Sequence, residues 1–131
     1  MFNSEVSQHN YINLVLTSLS NSNLILKNTA ILDSDQGHQY TSHSYTTKLI
    51  NLVLTKSMSR RGNYLDNACI ESFFGHLKIE SIYLNTPKNY DELKIMIKDY
   101  IDYYNNERIR LGLNKMTPNE YRRHYERMAF L

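Results

Sequence analysis

Two short apolar segments of this 131-residue chain have the length of strands, and helical patterns lie between and after them. The first lies in NTAILDSD, and the second, in LTKSMS, precedes a basic loop, SRRGNYLDN. The segment between them, HSYTTKLINLVL, repeats apolar residues at helical spacing. Strands that alternate with helices favour a parallel pair, whose carboxyl ends meet at a common edge. The pattern therefore predicts an α/β fold that is rich in helix.

Helical spacing is typical of the rest of the chain. Apolar residues from Val6 to Leu19 predict a first helix, which ends in the turn cluster SNSN. After the basic loop, Asp66 or Asn67 is expected to cap a helix that runs to about Ile82. A long helix is predicted from residue 90 to residue 108, and TPNEY begins the last helix with a capping box. The apolar stripes predicted for the helices after the loop are Ile70, Phe73, Phe74 and Leu77 on one and Leu93, Met96, Ile97, Tyr100, Ile101 and Tyr104 on the next.

The composition is that of one small globular domain. Hydrophobic residues make up 41% and charged residues 21% of the chain, which argues against disorder. The lone Cys69 excludes an internal disulfide and a cysteine-cluster zinc site, and a buried structural thiol is predicted for it. No stretch reaches the roughly 18 apolar residues of a membrane span, and the N-terminus lacks the early positive charge of a secretory signal. A cytoplasmic location without a membrane is expected.

Positive charge is concentrated in two segments, although the net charge is only +2. No acidic residue occurs between Asp35 and Asp66, where four basic residues lie, and residues 107 to 127 contain six basic and three acidic residues. Such segments fit contact with a phosphate backbone. An ordinary solvated surface would account for the same charges.

Two carboxylates occupy positions that suit chemistry. Asp35 lies just past the C-terminal end of the first predicted strand, and Glu71 lies near the start of the helix that follows the second. Gly75 and Lys78 share the helix face of Glu71, where the glycine leaves room for a ligand and the lysine adds a positive charge. Carboxylates near a cation suit Mg²⁺ ions that bridge a phosphodiester. Unrelated surface acids are the alternative that the residues alone leave open.

Three segments carry a family resemblance: LDSDQGHQYTS, SMSRRGNYLDNACIESFFGHLKIE and YIDYYNNERIRLGLNKMTPNEY. Together they resemble the C-terminal part of the integrase core of bacterial insertion-sequence transposases, in the retroviral-integrase superfamily. Thirty-five residues, positions 36 to 70, separate Asp35 from Glu71, which is the family's spacing between its second and third catalytic acids. Lys78, seven positions after the glutamate, also belongs to the pattern. The resemblance covers about residues 10 to 125.

The resemblance implies a ribonuclease H-like integrase core that is N-terminally truncated, with its first strands missing. Residues 1–131 would then form a partial catalytic core, in which residues 10–85 carry the acids and residues 86–131 form a C-terminal helical part. By the same resemblance Asp35 and Glu71 are catalytic and bind Mg²⁺ or Mn²⁺. The residues implied as DNA contacts are Arg60, Arg61, Lys78, Arg108 and Arg110, and those implied as supporting are Gln36, Gly37, Gln39, Tyr40 and Asn67.

The resemblance fails at the first catalytic acid, because Glu5 is the only acidic residue before Asp33 and does not match the family's strand motif. The chain by itself is therefore expected to be weakly active or inactive. Asp33 stands where the family usually has histidine, and Arg110 replaces a histidine of the C-terminal motif. Asp33 is expected to be a solvated loop carboxylate. The histidines are expected at the surface or in loops, since their spacing supports no zinc site.

These observations predict a fragment of a DDE transposase, an enzyme of DNA transposition that cleaves and transfers DNA strands with divalent metal. The alternative is a non-catalytic DNA-binding or transposase-interacting module. In both cases the expected partner is DNA, at transposon ends and target, and the expected location is the bacterial nucleoid. A homo-oligomer or association with a full-length transposase would go with either function.

Overall fold

The computed structural model describes residues 4–21, 31–58 and 68–129. Its element order, with strands that alternate with helices and a helical second half, matches the sequence prediction. The described residues fall into two compact units, of which the first is Glu5–Gly75 and the second is His76–Leu131 together with Ser4. The elements are α1 (Ile12–Asn21), β1 (Ile31–Ser34), α2 (His38–Thr41), α3 (His43–Asn51), β2 (Thr55–Met58), α4 (Ala68–Leu77), a π-helical turn (Lys78–Ile82), α5 (Tyr90–Asn106), a 3₁₀ turn (Leu111–Leu113) and α6 (Pro118–Met128).

The two strands pair in parallel, as their alternation with helices predicts. The register runs from Ile31 opposite Thr55 to Ser34 opposite Met58. Side chains alternate along β1, so Asp33 is exposed while Ser34 is buried. Because the strands are parallel, both end at the same edge of the sheet. Asp35 is the first residue past that edge on β1.

The core of the first unit lies under the helices that flank the strands. Leu19 of α1 and Tyr45 and Leu49 of α3 are buried together. Tyr45 and Leu49 are four residues apart on one face of α3, as the helical spacing of HSYTTKLINLVL predicts. Val53 of the same segment lies past the end of α3 and is exposed, so the prediction is wrong there. The expectation that Val6 opens the first helix is wrong, because α1 begins at Ile12. The carbonyl of Asn10, just before α1, instead accepts a hydrogen bond from Gln39 Nε2 at 3.1 Å.

Helix α4 buries only one edge of its predicted apolar stripe. Phe73 and Leu77 are buried, whereas Ile70 and Phe74 are exposed, which corrects the expectation of a fully buried stripe. The predicted buried thiol is also wrong, because Cys69 is exposed. Cys69 lies one turn before Phe73, in the first turn of α4, and burial along this row begins only at Phe73.

The second unit is built on α5, whose predicted stripe is confirmed. Tyr100 and Tyr104 are buried, and the other apolar residues of the stripe are half-buried. Asn89 caps the helix by accepting a hydrogen bond from the Glu92 N–H at 2.9 Å. The helix ends at Asn106 instead of residue 108. The N–H groups of the next two residues both turn back to the Tyr103 carbonyl and close the last turn.

Helix α6 starts with the capping box that the sequence predicts. The Thr117 hydroxyl accepts a hydrogen bond from the Glu120 N–H at 3.3 Å, and Glu120 Oε2 accepts one from the Thr117 N–H at 2.8 Å. Asn119 also donates to Asn106 Oδ1 at 2.7 Å, which ties the start of α6 to the end of α5. None of the helices in the described ranges has the length and apolar character needed to cross a bilayer.

Candidate functional site

Asp35 lies at the sheet edge with one carboxylate oxygen held in place. The residue is exposed, and its Oδ1 accepts a hydrogen bond from the Gly37 N–H at 2.8 Å. A Cβ atom at position 37 would lie 2.8 Å from the same oxygen, which is closer than real Cβ atoms approach. A side chain at position 37 would therefore require the Asp35 carboxylate to shift.

Tyr40 lies near the same carboxylate. Burial raises the pKa of the Tyr40 hydroxyl, and the negative charge of Asp35 raises it further. Tyr40 and Gln39 lie in the short helix α2, so the loop between β1 and α2 contains only Asp35, Gln36 and Gly37. Of the residues implied as supporting, the structure brings Gly37 and Tyr40 to Asp35, and Gln39 contacts the backbone of Asn10 instead.

Glu71 is exposed in the first turn of α4. The positive end of a helix dipole favours a carboxylate in this turn. A Cβ atom at Gly75, one turn further on, would meet nothing within 4 Å. Lys78 is the exposed first residue of the π-helical turn that follows α4. The face of α4 that carries Glu71 is thus open at the position of its glycine.

The donor chemistry fits a hard divalent cation. Asp35 and Glu71 are exposed carboxylates of one compact unit, and Mg²⁺ is commonly held by one or two carboxylates together with water and substrate phosphates. Across residues 4–21, 31–58 and 68–129, no three His, Cys, Asp or Glu side chains gather closely enough to hold a metal ion. The described part of the chain thus offers carboxylate ligands for such an ion but not a complete set of protein ligands.

Asp33 and the histidines were expected to be exposed, and most of those in the described residues are. Asp33 is exposed, as expected, but it lies within β1 and not in a loop. His38 and His43 are exposed in short helical segments. His76 differs, because it is half-buried on α4 and its Nδ1 lies 3.5 Å from Glu80 Oε1.

Arg108 forms an ion pair with Glu80, a residue that the sequence analysis did not identify. Its Nε donates to Glu80 Oε2 at 2.8 Å, and its Nη2 donates to Glu80 Oε1. The Tyr100 hydroxyl also donates to Glu80 Oε2, at 2.9 Å. The pair is half-buried, with side-chain exposures of 18% for Arg108 and 31% for Glu80. The structure therefore gives Arg108 an ion pair with Glu80, whatever contact it makes with DNA.

The ion pair shifts the pKa values of its members. The hydrogen bond from Arg108 lowers the pKa of the Glu80 carboxyl, and the Tyr100 hydroxyl adds to this effect. Burial and the carboxylate of Glu80 raise the pKa of Tyr100. Glu80 and Arg108 are 28 positions apart, so no local pattern connects them. The only sequence signal was the spacing of four residues between His76 and Glu80 on one helical face.

The remaining predicted contacts divide between described and undescribed residues. Arg60, Arg61 and Asn67 lie outside the described residues. Arg110 is half-buried, with its guanidinium carbon 5.8 Å from the centre of the Tyr104 ring. Lys78 is exposed. Lys78 and Arg110 are thus the predicted DNA contacts whose placement the structure gives, besides Arg108.

Part of this chain matches a known protein family. Residues 71–125 match the integrase core domain family. The InsK protein of insertion sequence element IS150 from Escherichia coli strain K12 is 50% identical over 92 residues, which cover 70% of this chain and 32% of that protein. The transposase of IS904 from Lactococcus lactis is 39% identical, over 72% of this chain and 38% of its own length. The chain spans about a third of the length of these curated relatives.

A solved structure shows the same fold. The catalytic core domain of BIV integrase superposes with a TM-score of 0.73 and 17% sequence identity, over 97% of this chain and 80% of that one. At this identity the likeness concerns the fold alone, which is the ribonuclease H-like fold of integrase cores. The family match, the transposase relatives and the fold agree with each other. Residues 71–125 thus belong to the integrase core domain family, and the chain is similar to transposases of insertion sequences.

Proposed function

We propose that this chain contributes two metal-binding carboxylates, Asp35 and Glu71, to a transposase that cleaves and transfers DNA strands. The observation that carries the proposal is the constrained position of Asp35 at the sheet edge, with Oδ1 held 2.8 Å from the Gly37 N–H. The carboxyl ends of parallel strands are where α/β folds place their ligands. The transposase relatives and the integrase core family point to DNA as that ligand.

In this proposal Asp35 and Glu71 hold Mg²⁺ or Mn²⁺. When bound, such an ion activates water and stabilises the leaving oxygen of a phosphodiester. The contribution of the chain itself is to position the two carboxylates. The Gly37 N–H orients Asp35, and the first turn of α4 holds Glu71.

The same proposal assigns the phosphate contacts to basic side chains. Lys78 lies two helical turns after Glu71 and is exposed. Arg60 and Arg61, which precede α4 in the sequence, and Arg110 complete the proposed set. Arg108 is not included, because Glu80 already accepts two hydrogen bonds from its guanidinium. Each phosphate contact should make DNA binding weaker as salt rises.

Metal binding is the direct test of the proposed site. Mn²⁺ titrated into the purified 131-residue chain is followed by electron paramagnetic resonance for the wild type and for Asp35→Asn, Glu71→Gln and Asp33→Asn. The Asp33 change is the matched control, since it removes the same charge from an exposed position on β1 two residues away. We expect Asp35→Asn and Glu71→Gln to weaken Mn²⁺ binding and Asp33→Asn to leave it close to that of the wild type. Equal affinities for all four proteins would refute the proposed site.

A second candidate is DNA binding without chemistry. It is favoured by the absence of a cluster of three metal-binding side chains from the described part of the chain. The two functions are separated by the effect of the chain on transposition by a full-length transposase, measured beside its DNA affinity in fluorescence anisotropy with a duplex that carries an insertion-sequence end. If the chain only binds DNA, Asp35→Asn and Glu71→Gln keep the wild-type effect on transposition, while Lys78→Ala lowers DNA affinity. If the metal site is used, both carboxylate variants lose that effect.

Strand transfer by the isolated chain is the remaining assay. With two of the three acids that the family uses, the 131-residue chain in Mg²⁺ is expected to show little or no strand transfer. Efficient Mg²⁺-dependent strand transfer by the chain alone would contradict this part of the proposal and would mean that two carboxylates suffice.

A further inference from the structure

The π-helical turn carries both a proposed phosphate contact, Lys78, and the half-buried carboxylate of Glu80. The hydrogen bond that defines the turn runs from the Tyr83 N–H to the Lys78 carbonyl, at 2.8 Å. Turns of this kind are rare and are frequently found at functional sites. The arrangement of these two side chains on one short turn therefore bears on how Lys78 reaches DNA.

The Glu80 side chain is held by two partners. Its Oε2 accepts a hydrogen bond from Arg108 Nε at 2.8 Å, and its Oε1 accepts one from Arg108 Nη2. The Tyr100 hydroxyl donates to the same Oε2 at 2.9 Å. Two parallel bonds between a guanidinium and a carboxylate fix the orientation of both groups. The direction of Glu80 from the turn is thus determined.

Arg108 is itself fixed within the second unit. Its backbone N–H donates to the Tyr103 carbonyl at 2.9 Å. Its guanidinium carbon lies 5.6 Å from the centre of the Tyr104 ring, and Tyr104 is buried. A carboxylate that binds this guanidinium is therefore anchored to the core of the unit and not to a mobile side chain.

The anchor of Glu80 determines where Lys78 points. Residues two positions apart in a helical turn do not face each other. Because Glu80 is directed towards Tyr100 and Arg108, Lys78 is directed away from them, and it is exposed. A turn that is already fixed loses less conformational entropy when its lysine binds a phosphate.

We propose that Glu80 is a positioning residue, which holds the π-helical turn so that Lys78 meets a DNA phosphate. The inference rests on the proposed phosphate contact of Lys78. It also gives Arg108 a role in DNA binding that passes through Glu80. Charge alone predicts the opposite effect for Glu80, because removal of a carboxylate from a DNA-binding surface lessens the repulsion of phosphates. The sign of the effect therefore separates positioning from simple charge.

Fluorescence anisotropy at several salt concentrations, with a duplex that carries an insertion-sequence end, tests the inference. The proteins are the wild type, Lys78→Ala, Glu80→Gln and the double variant. Glutamine has only one acceptor oxygen, so it cannot accept both hydrogen bonds from Arg108. We expect Glu80→Gln to weaken DNA binding at least about threefold in the wild type and less than about twofold in the Lys78→Ala background.

The salt dependence separates positioning from a loss of folded protein. Lys78→Ala should lower the slope of log affinity against log salt by about 0.9. Glu80→Gln should lower the slope in the same direction, because fewer lysine contacts then form. If Glu80→Gln only reduced the folded fraction, the affinity would fall and the slope would stay that of the wild type, which would contradict the inference.

Two more variants control for charge and for folding. Tyr100→Phe removes the hydroxyl that donates to Glu80 but keeps the ring and the net charge, so it should weaken DNA binding by a smaller factor than Glu80→Gln. Glu126→Gln is the matched control, because it removes the same charge from an exposed ion pair with Arg122 on α6. It should not weaken DNA binding.

The outcomes distinguish this inference from the proposed phosphate contact. If Lys78→Ala weakens DNA binding while Glu80→Gln leaves it unchanged or strengthens it, the positioning role is wrong and the contact stands. If Lys78→Ala has no effect, the contact is refuted and the positioning role with it. An equal loss from Glu80→Gln with and without Lys78 would show that the effect does not pass through the lysine, and would also overturn the inference.

Discussion

Replacing Glu80 by glutamine tests whether the Glu80–Arg108 ion pair stabilises the second unit. The change keeps the size of the side chain and removes its charge. Arg108, which is 18% exposed, would then lose a carboxylate that accepts two of its hydrogen bonds, and Tyr100 would lose a charged acceptor at 2.9 Å. Hydrogen bonds to charged groups contribute about 1.5–3 kcal/mol each. Partial exposure reduces this, so we expect a loss of roughly 2 kcal/mol for the whole cluster.

The pH dependence gives the prediction a second, independent signature. The pKa of Glu80 is lowered from its ordinary value of 4.5 by Arg108. A carboxyl with a depressed pKa stabilises the folded state above its unfolded-state pKa, and this contribution is lost as the pH falls through the folded-state value. The difference in unfolding free energy between wild type and Glu80→Gln should therefore be full at pH 7 and shrink below about pH 4.5. His76, Tyr100 and Arg108 face the carboxylate and remain the same in both proteins.

Urea unfolding followed by circular dichroism measures both effects. Glu126→Gln is the matched control, because Glu126 pairs with Arg122 Nε at 2.9 Å but the two side chains are 52% and 50% exposed. A surface pair of this kind contributes about 0.3–0.5 kcal/mol. Equal losses for Glu80→Gln and Glu126→Gln at pH 7 would refute the reasoning. So would a Glu80→Gln loss that stays constant down to the lowest pH at which the protein folds.

Three further substitutions test separate features of the fold. Gly37→Ala would place a Cβ atom 2.8 Å from Asp35 Oδ1, so the carboxylate should move and Mn²⁺ binding should weaken in the titration; unchanged affinity would contradict the close approach. In Gly75→Ala the added Cβ atom would meet nothing within 4 Å. The change should raise the unfolding free energy by up to about 1 kcal/mol, because alanine favours helix. A decrease in the urea experiment would show that the position is constrained. Thr117→Ala removes the capping box and should lower the stability by about 1 kcal/mol. The loss should be visible as faster hydrogen exchange in the first turn of α6. Unchanged exchange would rule out the cap as a source of stability.

The sequence predicted features that depend on neighbouring residues. The capping box of Thr117 and Glu120, the buried Tyr100 and Tyr104 and the parallel strand pair were all read correctly, because each follows from short-range spacing or from the order of elements. The exposure of Cys69 was not, since helical periodicity shows which residues share a face but not how far along the helix that face is covered.

At the candidate site the same limit applies. The position of Asp35 past β1 followed from the pattern, but its hydrogen bond with Gly37 and the approach of Tyr40 required three-dimensional structure. The pairing of Arg108 with Glu80 joins residues 28 positions apart. From the sequence alone, Arg108 could only be grouped with the other basic residues.

The parallel pairing of β1 and β2 has a consequence for the order in which the chain folds. Each residue of β1 pairs with a residue 24 positions later, as Ile31 does with Thr55. Closing a loop of that length costs entropy before any strand contact forms. Most of the contacts within α5 and α6 are local, and local contacts form faster. In pulsed hydrogen exchange we expect the amides of α5 to become protected before those of β1 and β2, so that the helices form ahead of the sheet edge that holds Asp35.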